Sequence, residues 1–144
     1  CVAPFLSYRN KATFIVCLTS NKGADDFEKK TLEMRPFYEE VIACVQQWTE
    51  HDNCGLVIGA TQPDYFARVR ALAPNMPLLI PGVGTQGGSA EEAVSNGQDK
   101  EGAGILINSS RGIIFASSGD DFAAAASTAA RNLREELNQH RSST

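Results

Sequence analysis

Two stretches hold the residue types best suited to chemistry: Pro81-Gly82-Val83-Gly84-Thr85-Gln86-Gly87-Gly88, and Asn108-Ser109-Ser110-Arg111-Gly112. Glycines lack a β-carbon and let backbone N–H groups approach an anion, so Gly84, Gly87 and Gly88 read as a phosphate nest, with Gln86 adding a neutral amide donor. Arg111 is the natural counter-charge, because a guanidinium grips a phosphate through two parallel hydrogen bonds. Gly82, Gly84 and Gly87 also match G-x-G-x-x-G, the fingerprint of a dinucleotide-binding Rossmann domain. That alternative lacks its other parts. The helix expected after the glycines is only about two turns long before Gly97, and the next strand ends in Asn108 and Ser109, with Asp99 and Glu101 falling ahead of it rather than at its end.

A second candidate is Ser20 in Thr19-Ser20-Asn21, whose hydroxyl can both donate and accept at the end of a strand. A plain turn serine explains it equally well. Lys22 is read as a solvated loop charge, and His51 and His140 stand near helix C-termini, where a cation is favoured, without a second ligand nearby. There is no G-x-S-x-G elbow and no H-E-x-x-H pair, so serine-hydrolase and zinc-protease chemistry find no support. The four cysteines, Cys1, Cys17, Cys44 and Cys54, form no C-x-x-C and read as reduced thiols of a cytoplasmic protein.

The elements that must position these residues alternate between short apolar runs and longer stretches of helical period. Strands are expected at Thr13 to Leu18, Gly55 to Gly59, Pro77 to Ile80 and Gly104 to Asn108. Between them, Phe37, Val41, Cys44, Val45 and Trp48 trace one helix stripe ending near His51; Phe66, Val69 and Ala73 trace another, with Thr61 as its cap and Pro63 in its first turn. A short helix starts at Ala90, and a last one carries the stripe Phe122, Ala126, Ala129, Leu133 and Leu137. Residues 1–138 are expected to fold as one phosphate-binding unit, with 139–144 a flexible tail. Four successive βα units imply a parallel sheet with right-handed crossovers.

With 144 residues, 42% hydrophobic and 21% charged, net charge -4, the chain has the make-up of a single globular domain. Its 13 Lys and Arg are spread without a basic stripe, which argues against nucleic acid as a partner, and no apolar run approaches the ~18 residues of a membrane span. A small molecule is the expected ligand. Length favours an open doubly wound sheet over a barrel of about 250 residues, but the loops favour the barrel, whose last two strand-end loops typically hold a phosphate. On that reading the third and fourth units are strands seven and eight. The chain begins at Cys1 rather than methionine, which suggests a polypeptide starting further upstream.

The stretches Thr19-Ser20-Asn21, Gly55 to Thr61 (GLVIGAT), Ala67 to Pro74 (ARVRALAP), Met76 to Gly88 (MPLLIPGVGTQGG) and Asn108 to Ile113 (NSSRGI), in this order and spacing, resemble the orotidine 5'-phosphate decarboxylases, particularly the bacterial-type group also found in some eukaryotic fusion enzymes. The resemblance extends from about Pro4 to Leu137 and covers only the family's C-terminal half. It implies an α/β fold that is strands five to eight of a TIM (β/α)8 barrel, usually a homodimer with active sites at the subunit interface. It also implies conversion of orotidine 5'-phosphate to UMP and carbon dioxide with no metal or organic cofactor.

By the same resemblance, Ser20 contacts the pyrimidine amide edge, Pro81 lines the base pocket, Gln86 bridges toward the phosphate, and Arg111 with the Ser110 backbone clamps it. The family's chemistry comes from an Asp/Lys array of the D-x-K-x-x-D kind and a further upstream lysine, to which this sequence has no match. The expectation is therefore a chain that binds the nucleotide, needs a missing N-terminal half-barrel, and is inactive alone. The competing expectation is a half-barrel that binds a phosphorylated ligand without catalysis, or assembles with itself across exposed strand edges. Lys22 is a departure, since related sequences often carry proline there.

Overall fold

In the computed structural model, which describes residues 2–84 and 87–141, four parallel strands form one sheet. The chain runs through a short helix α1 (Ala3–Leu6), β1 (Thr13–Leu18), a 3-10 turn (Lys22–Asp26), and a small antiparallel hairpin of β2 (Thr31–Leu32) and β3 (Arg35–Pro36). There follow α2 (Phe37–Trp48), β4 (Cys54–Ile58), α3 (Pro63–Leu72), β5 (Leu78–Pro81), α4 (Ala90–Gly97), β6 (Ile105–Asn108), α5 (Ser110–Ile114) and α6 (Phe122–Gln139). The sheet order is β1-β4-β5-β6, each pair parallel. Successive strands simply add to one side. A doubly wound sheet reverses its order at a switch point, so this order removes the Rossmann alternative.

Strand alternation shows how the two faces differ. Leu56, Ile58, Leu78 and Ile80 are fully buried beneath the helices, together with Phe66 and Val69 of α3 and Ile42 and Val45 of α2. The intervening residues form a row in register across the opposite face: Val16 pairs with Val57, Val57 with Leu79, and Leu79 with Leu106. At the ends of this row Val16 is 59% and Leu106 is 50% exposed. Helices on one face and an uncovered apolar row on the other are what a barrel wall looks like when the rest of the barrel is not there to fill its interior.

Several expected details are corrected. On α2 the core-facing residues are Tyr38, Ile42 and Val45, whereas Phe37 and Trp48 are more than 40% exposed. Two apolar stripes lie side by side on this helix, and periodicity alone does not say which meets the sheet. The residue capping α3 is Gln62, without a side-chain hydrogen bond to the helix, rather than Thr61; Pro63 does occupy the first turn. The last strand starts at Ile105 because Gly104 has φ +75, outside the strand region. Of the α6 stripe, Leu133 and Leu137 pack on the core, but Phe122 is 61% exposed. Helix α6 continues through Gln139, and Arg141 Nε donates to Gly102 O at 3.0 Å.

Between α2 and α3, Arg68 reaches the buried Glu39 carboxylate through Nε at 2.8 Å and Nη2 at 2.9 Å, and the Tyr38 hydroxyl donates to Glu39 Oε1 at 3.2 Å. Hydrogen bonding from Arg68 holds the Glu39 carboxyl below its ordinary value of 4.5, burial opposing. A folded-state pKa below the unfolded one stabilises above the unfolded value, and the contribution is lost as pH falls through the folded one. Glu39→Gln should therefore lower Tm at pH 7 and flatten the loss of Tm on acidification below about 4.5. Thermal melts between pH 7 and 3 check this; an unchanged acid limb would exclude Glu39 as a contributor.

Candidate functional site

Every site residue expected from the sequence and described in the structure lies at the C-terminal rim of the sheet. Ser20 follows β1, Pro81 is the last residue of β5, and Ser110 and Arg111 open α5 just after β6. The turn after β5 and the turn after β6 meet. Pro81 to Val83 and Asn108 to Arg111 line one cleft of about 60 Å³, and Ser109 Oγ bridges it by donating to Val83 O at 3.5 Å. Arg111 forms part of that wall and is exposed.

The glycine turn needs its glycines for shape. Gly82, Gly84 and Gly87 have φ of 98, 79 and 87, where a β-carbon would be strained. Gly88 is needed for a different reason: a β-carbon there would stand 2.3 Å from the Ala60 β-carbon. The expectation that these glycine amides are free to meet an anion is revised by the hydrogen bonds. Gly84 N donates to Gly88 O at 2.9 Å, Gly87 N to Gly84 O at 2.8 Å, and Gly88 N to Gly82 O at 3.3 Å. The amides of Gly84, Gly87 and Gly88 thus close the turn on itself, and its glycines serve the tight fold and close packing. Gln86, with Thr85, lies outside the described residues.

Ser20 is not in the cleft wall but belongs to the same rim. A β-carbon on Gly59 would come within 2.3 Å of Ser20 Oγ, and Ala60 N donates to Pro81 O at 2.9 Å. Contacts therefore run unbroken from Ser20 through Gly59 and Ala60 to Pro81 and the cleft. The Ser20 hydroxyl is shut off from solvent and finds no hydrogen-bond partner among the described residues. Such orphans are rare and usually mark a function or a missing partner.

Sequence reasoning missed the groups that hold Thr19, the neighbour of Ser20. The Glu28 carboxylate accepts from Thr19 N at 2.7 Å and from Thr19 Oγ1 at 3.1 Å, while Gln62 Nε2 donates to Thr19 O at 2.9 Å. Nothing local in the sequence signals a contact across nine residues of irregular chain. Below this loop, Cys17 is buried and its thiol is pushed up to about 12, first by burial and then by the Glu28 charge, so it is unreactive. Lys22 opens the 3-10 turn and is exposed.

Four strands added in sequence order, backed by helices on one face and gathering their loops at one rim, define half of a (β/α)8 barrel. The chain belongs to the orotidine 5'-phosphate decarboxylase / HUMPS family, whose sequence model matches residues 2–127. It is 44% identical over 138 residues to an orotidine 5'-phosphate decarboxylase of Cellvibrio japonicus, covering 95% of this chain and 50% of that protein. With one of Variovorax paradoxus it shares 50% identity over 141 residues, covering 94% and 51%. The chain spans about half the length of the curated relatives it matches. Among solved structures, Leishmania donovani UMP synthase superposes with TM-score 0.84 at 42% identity, covering 97% of this chain and 30% of that one. Leishmania donovani OMP decarboxylase superposes with TM-score 0.77 at 36% identity, covering 95% and 52%. No helix among the described residues is long and apolar enough to cross a membrane.

Proposed function

We propose that this chain is the C-terminal half of an orotidine 5'-phosphate decarboxylase and supplies the grip on the substrate's phosphate and pyrimidine. The observation that carries the reading is the meeting of the β5 and β6 turns around one cleft with Arg111 in its wall. Arg111 neutralises the phosphate, the Ser110 backbone at the start of α5 adds an amide, Pro81 bounds the base, and Ser20 meets the amide edge of the pyrimidine. Gln86 is assigned to the phosphate as a neutral amide donor on its residue type alone. Completed barrels would pair as a homodimer.

The division of labour follows from the side chains present. Neither the Pro81 to Val83 turn nor the Asn108 to Arg111 turn holds a carboxylate, a histidine or a lysine. The cleft thus has no acid to protonate the carbon left by departing carbon dioxide. That work falls to an Asp/Lys array on the N-terminal half. Binding energy gathered at the remote phosphate can be used to hold the reacting ring against such an array, which is how a distant contact raises a rate.

Calorimetric titration with UMP tests the grip. Removing a charge-assisted contact costs about 1.5–3 kcal/mol, so Arg111→Ala should weaken UMP binding roughly ten- to hundredfold. Added salt should weaken the wild type and leave the variant nearly unaffected. Equal affinity in the two proteins, or tighter binding of the nucleoside uridine than of UMP, would overturn the phosphate reading.

A further inference from the structure

We propose that Glu28 and Gln62 are positioning residues that set the pose of Ser20 toward the pyrimidine by holding Thr19 at its amide, hydroxyl and carbonyl. The inference rests on the reading of Ser20 as the base contact and goes one step behind it. Thr19 is gripped on every polar group it has: the Glu28 carboxylate accepts from its N–H at 2.7 Å and from its hydroxyl at 3.1 Å, and Gln62 Nε2 donates a hydrogen bond to its carbonyl at 2.9 Å. Ser20 comes next in the chain. Its backbone also packs on Gly59, where a β-carbon would stand 2.6 Å from Ser20 N, so the serine has no room to shift toward β4.

Glu28 can impose a position because it is itself fixed. Its carbonyl accepts from Tyr38 N at 2.9 Å, at the start of α2, and Lys29 N, next in sequence, donates to Ala24 O at 3.1 Å. Tyr38 is buried, and its carbonyl accepts from Cys17 Sγ at 3.4 Å. The long irregular excursion between β1 and α2 is therefore anchored to the core at Glu28, and the carboxylate carries that anchorage to the rim. Gln62 does the same from the far side, standing at the cap of α3 with its own amide bonded to Gly59 O at 3.1 Å. The clamp thus fixes the backbone of Ser20, while its hydroxyl, enclosed and without a partner among the described residues, is left to rotate about χ1 to reach the base.

The test compares UMP with ribose 5-phosphate, which offers the phosphate but no base. Glu28→Ala should weaken UMP binding about three- to tenfold and change ribose 5-phosphate by less than about twofold. Ser20→Ala should do the same, and the double variant should be no weaker than the worse single one, because both remove one interaction. Glu28→Gln, which keeps an acceptor for Thr19 N–H, should recover part of the loss. Amide exchange gives a readout without ligand: Thr19 N–H should lose protection in Glu28→Ala.

An equal loss of both ligands in Glu28→Ala, or additive losses in the double variant, would reduce Glu28 to a general stabiliser and overturn the proposal. If Ser20→Ala leaves UMP binding intact while Glu28→Ala deprotects Thr19, the base contact itself is wrong. If UMP does not bind the wild-type chain at millimolar concentration, the rim reading and the proposal fall together.

Discussion

Mixed with a polypeptide that supplies the first four βα units of a relative, this chain should gain decarboxylation of orotidine 5'-phosphate from a starting activity indistinguishable from buffer. The expectation rests on two separate needs. Chemically, the described residues lining the cleft between the β5 and β6 turns include no acid to protonate the ring carbon that carbon dioxide leaves. Structurally, β1 and β6 are both edges of the sheet, and the row Val16, Val57, Leu79 and Leu106 awaits side chains from strands opposite. Covering a large aliphatic side chain is worth about 1.5–3 kcal/mol, and closing the barrel also removes both exposed edges.

The same reasoning supplies a control. Leu106→Glu places a charge where a completed barrel has none, at a cost of several kcal/mol on assembly, yet at a half-exposed position it should leave the Tm of the isolated chain within a degree or two. Assembly and restored activity should both fail in this variant. Decarboxylation by the purified chain alone would refute the division of labour. A stable self-dimer that refuses the second polypeptide would favour the non-catalytic half-barrel instead.

The sheet strands were legible because each is a short apolar run with a breaker at its end: β1 falls at Thr13 to Leu18 as expected, β4 and β5 are each displaced by one residue at both ends, and β6 starts one residue later, whereas the two-residue strands β2 and β3 carry no such signal. The barrel reading, too, came from loop content, since the glycine turn and the Asn108 to Arg111 turn were read as neighbours and line one cleft. What stayed hidden depends on partners distant in sequence. Val45 is buried as expected and Val41 packs against the core, but the sequence marks Tyr38 and Ile42 no more strongly than Phe37 and Trp48, and only the sheet beneath chooses between them. Phe122 looks like a core residue by period, but α6 follows an edge strand and has few neighbours to cover it. Residue type suggests free glycine amides, whereas the N–H groups of Gly84, Gly87 and Gly88 bond to carbonyls of their own turn.

Arg70 was equally invisible to pattern reading, and its loss should be the most destabilising single change in the chain outside the apolar core. Its guanidinium lies at the end of the sheet opposite the rim. Nε donates to Gly97 O at 2.8 Å, Nη1 to Ala73 O at 3.0 Å and Met76 O at 2.8 Å, and Nη2 to Gly104 O at 3.0 Å. One side chain thus joins the end of α3, the turn into β5, the end of α4 and the start of β6. Burial lowers the Arg70 pKa, with Asp99 partly offsetting it, which marks a desolvated cation that cannot be left unpaired cheaply. Asp99 in turn accepts from Glu101 N and Ala103 N, both at 2.9 Å, shaping the turn that presents Gly104 O.

Arg70→Met keeps the aliphatic stem and strands the carbonyls. Hydrogen bonds to a charged group are worth about 1.5–3 kcal/mol and an orphaned buried acceptor costs about 1–3 kcal/mol, so a net loss of about 3 kcal/mol is expected. For a chain of this length that is a fall in Tm of about 6–12 °C. Arg70→Lys should recover little, since one ammonium cannot span the five carbonyl groups, that of Pro74 included, that a planar fork reaches together. Arg131→Ala, an exposed arginine on α6, should move stability by less than about 0.5 kcal/mol. Urea melts of the three variants separate the cases; if Arg70→Met and Arg131→Ala unfold at the same midpoint, the guanidinium is not the clasp that its hydrogen bonds describe.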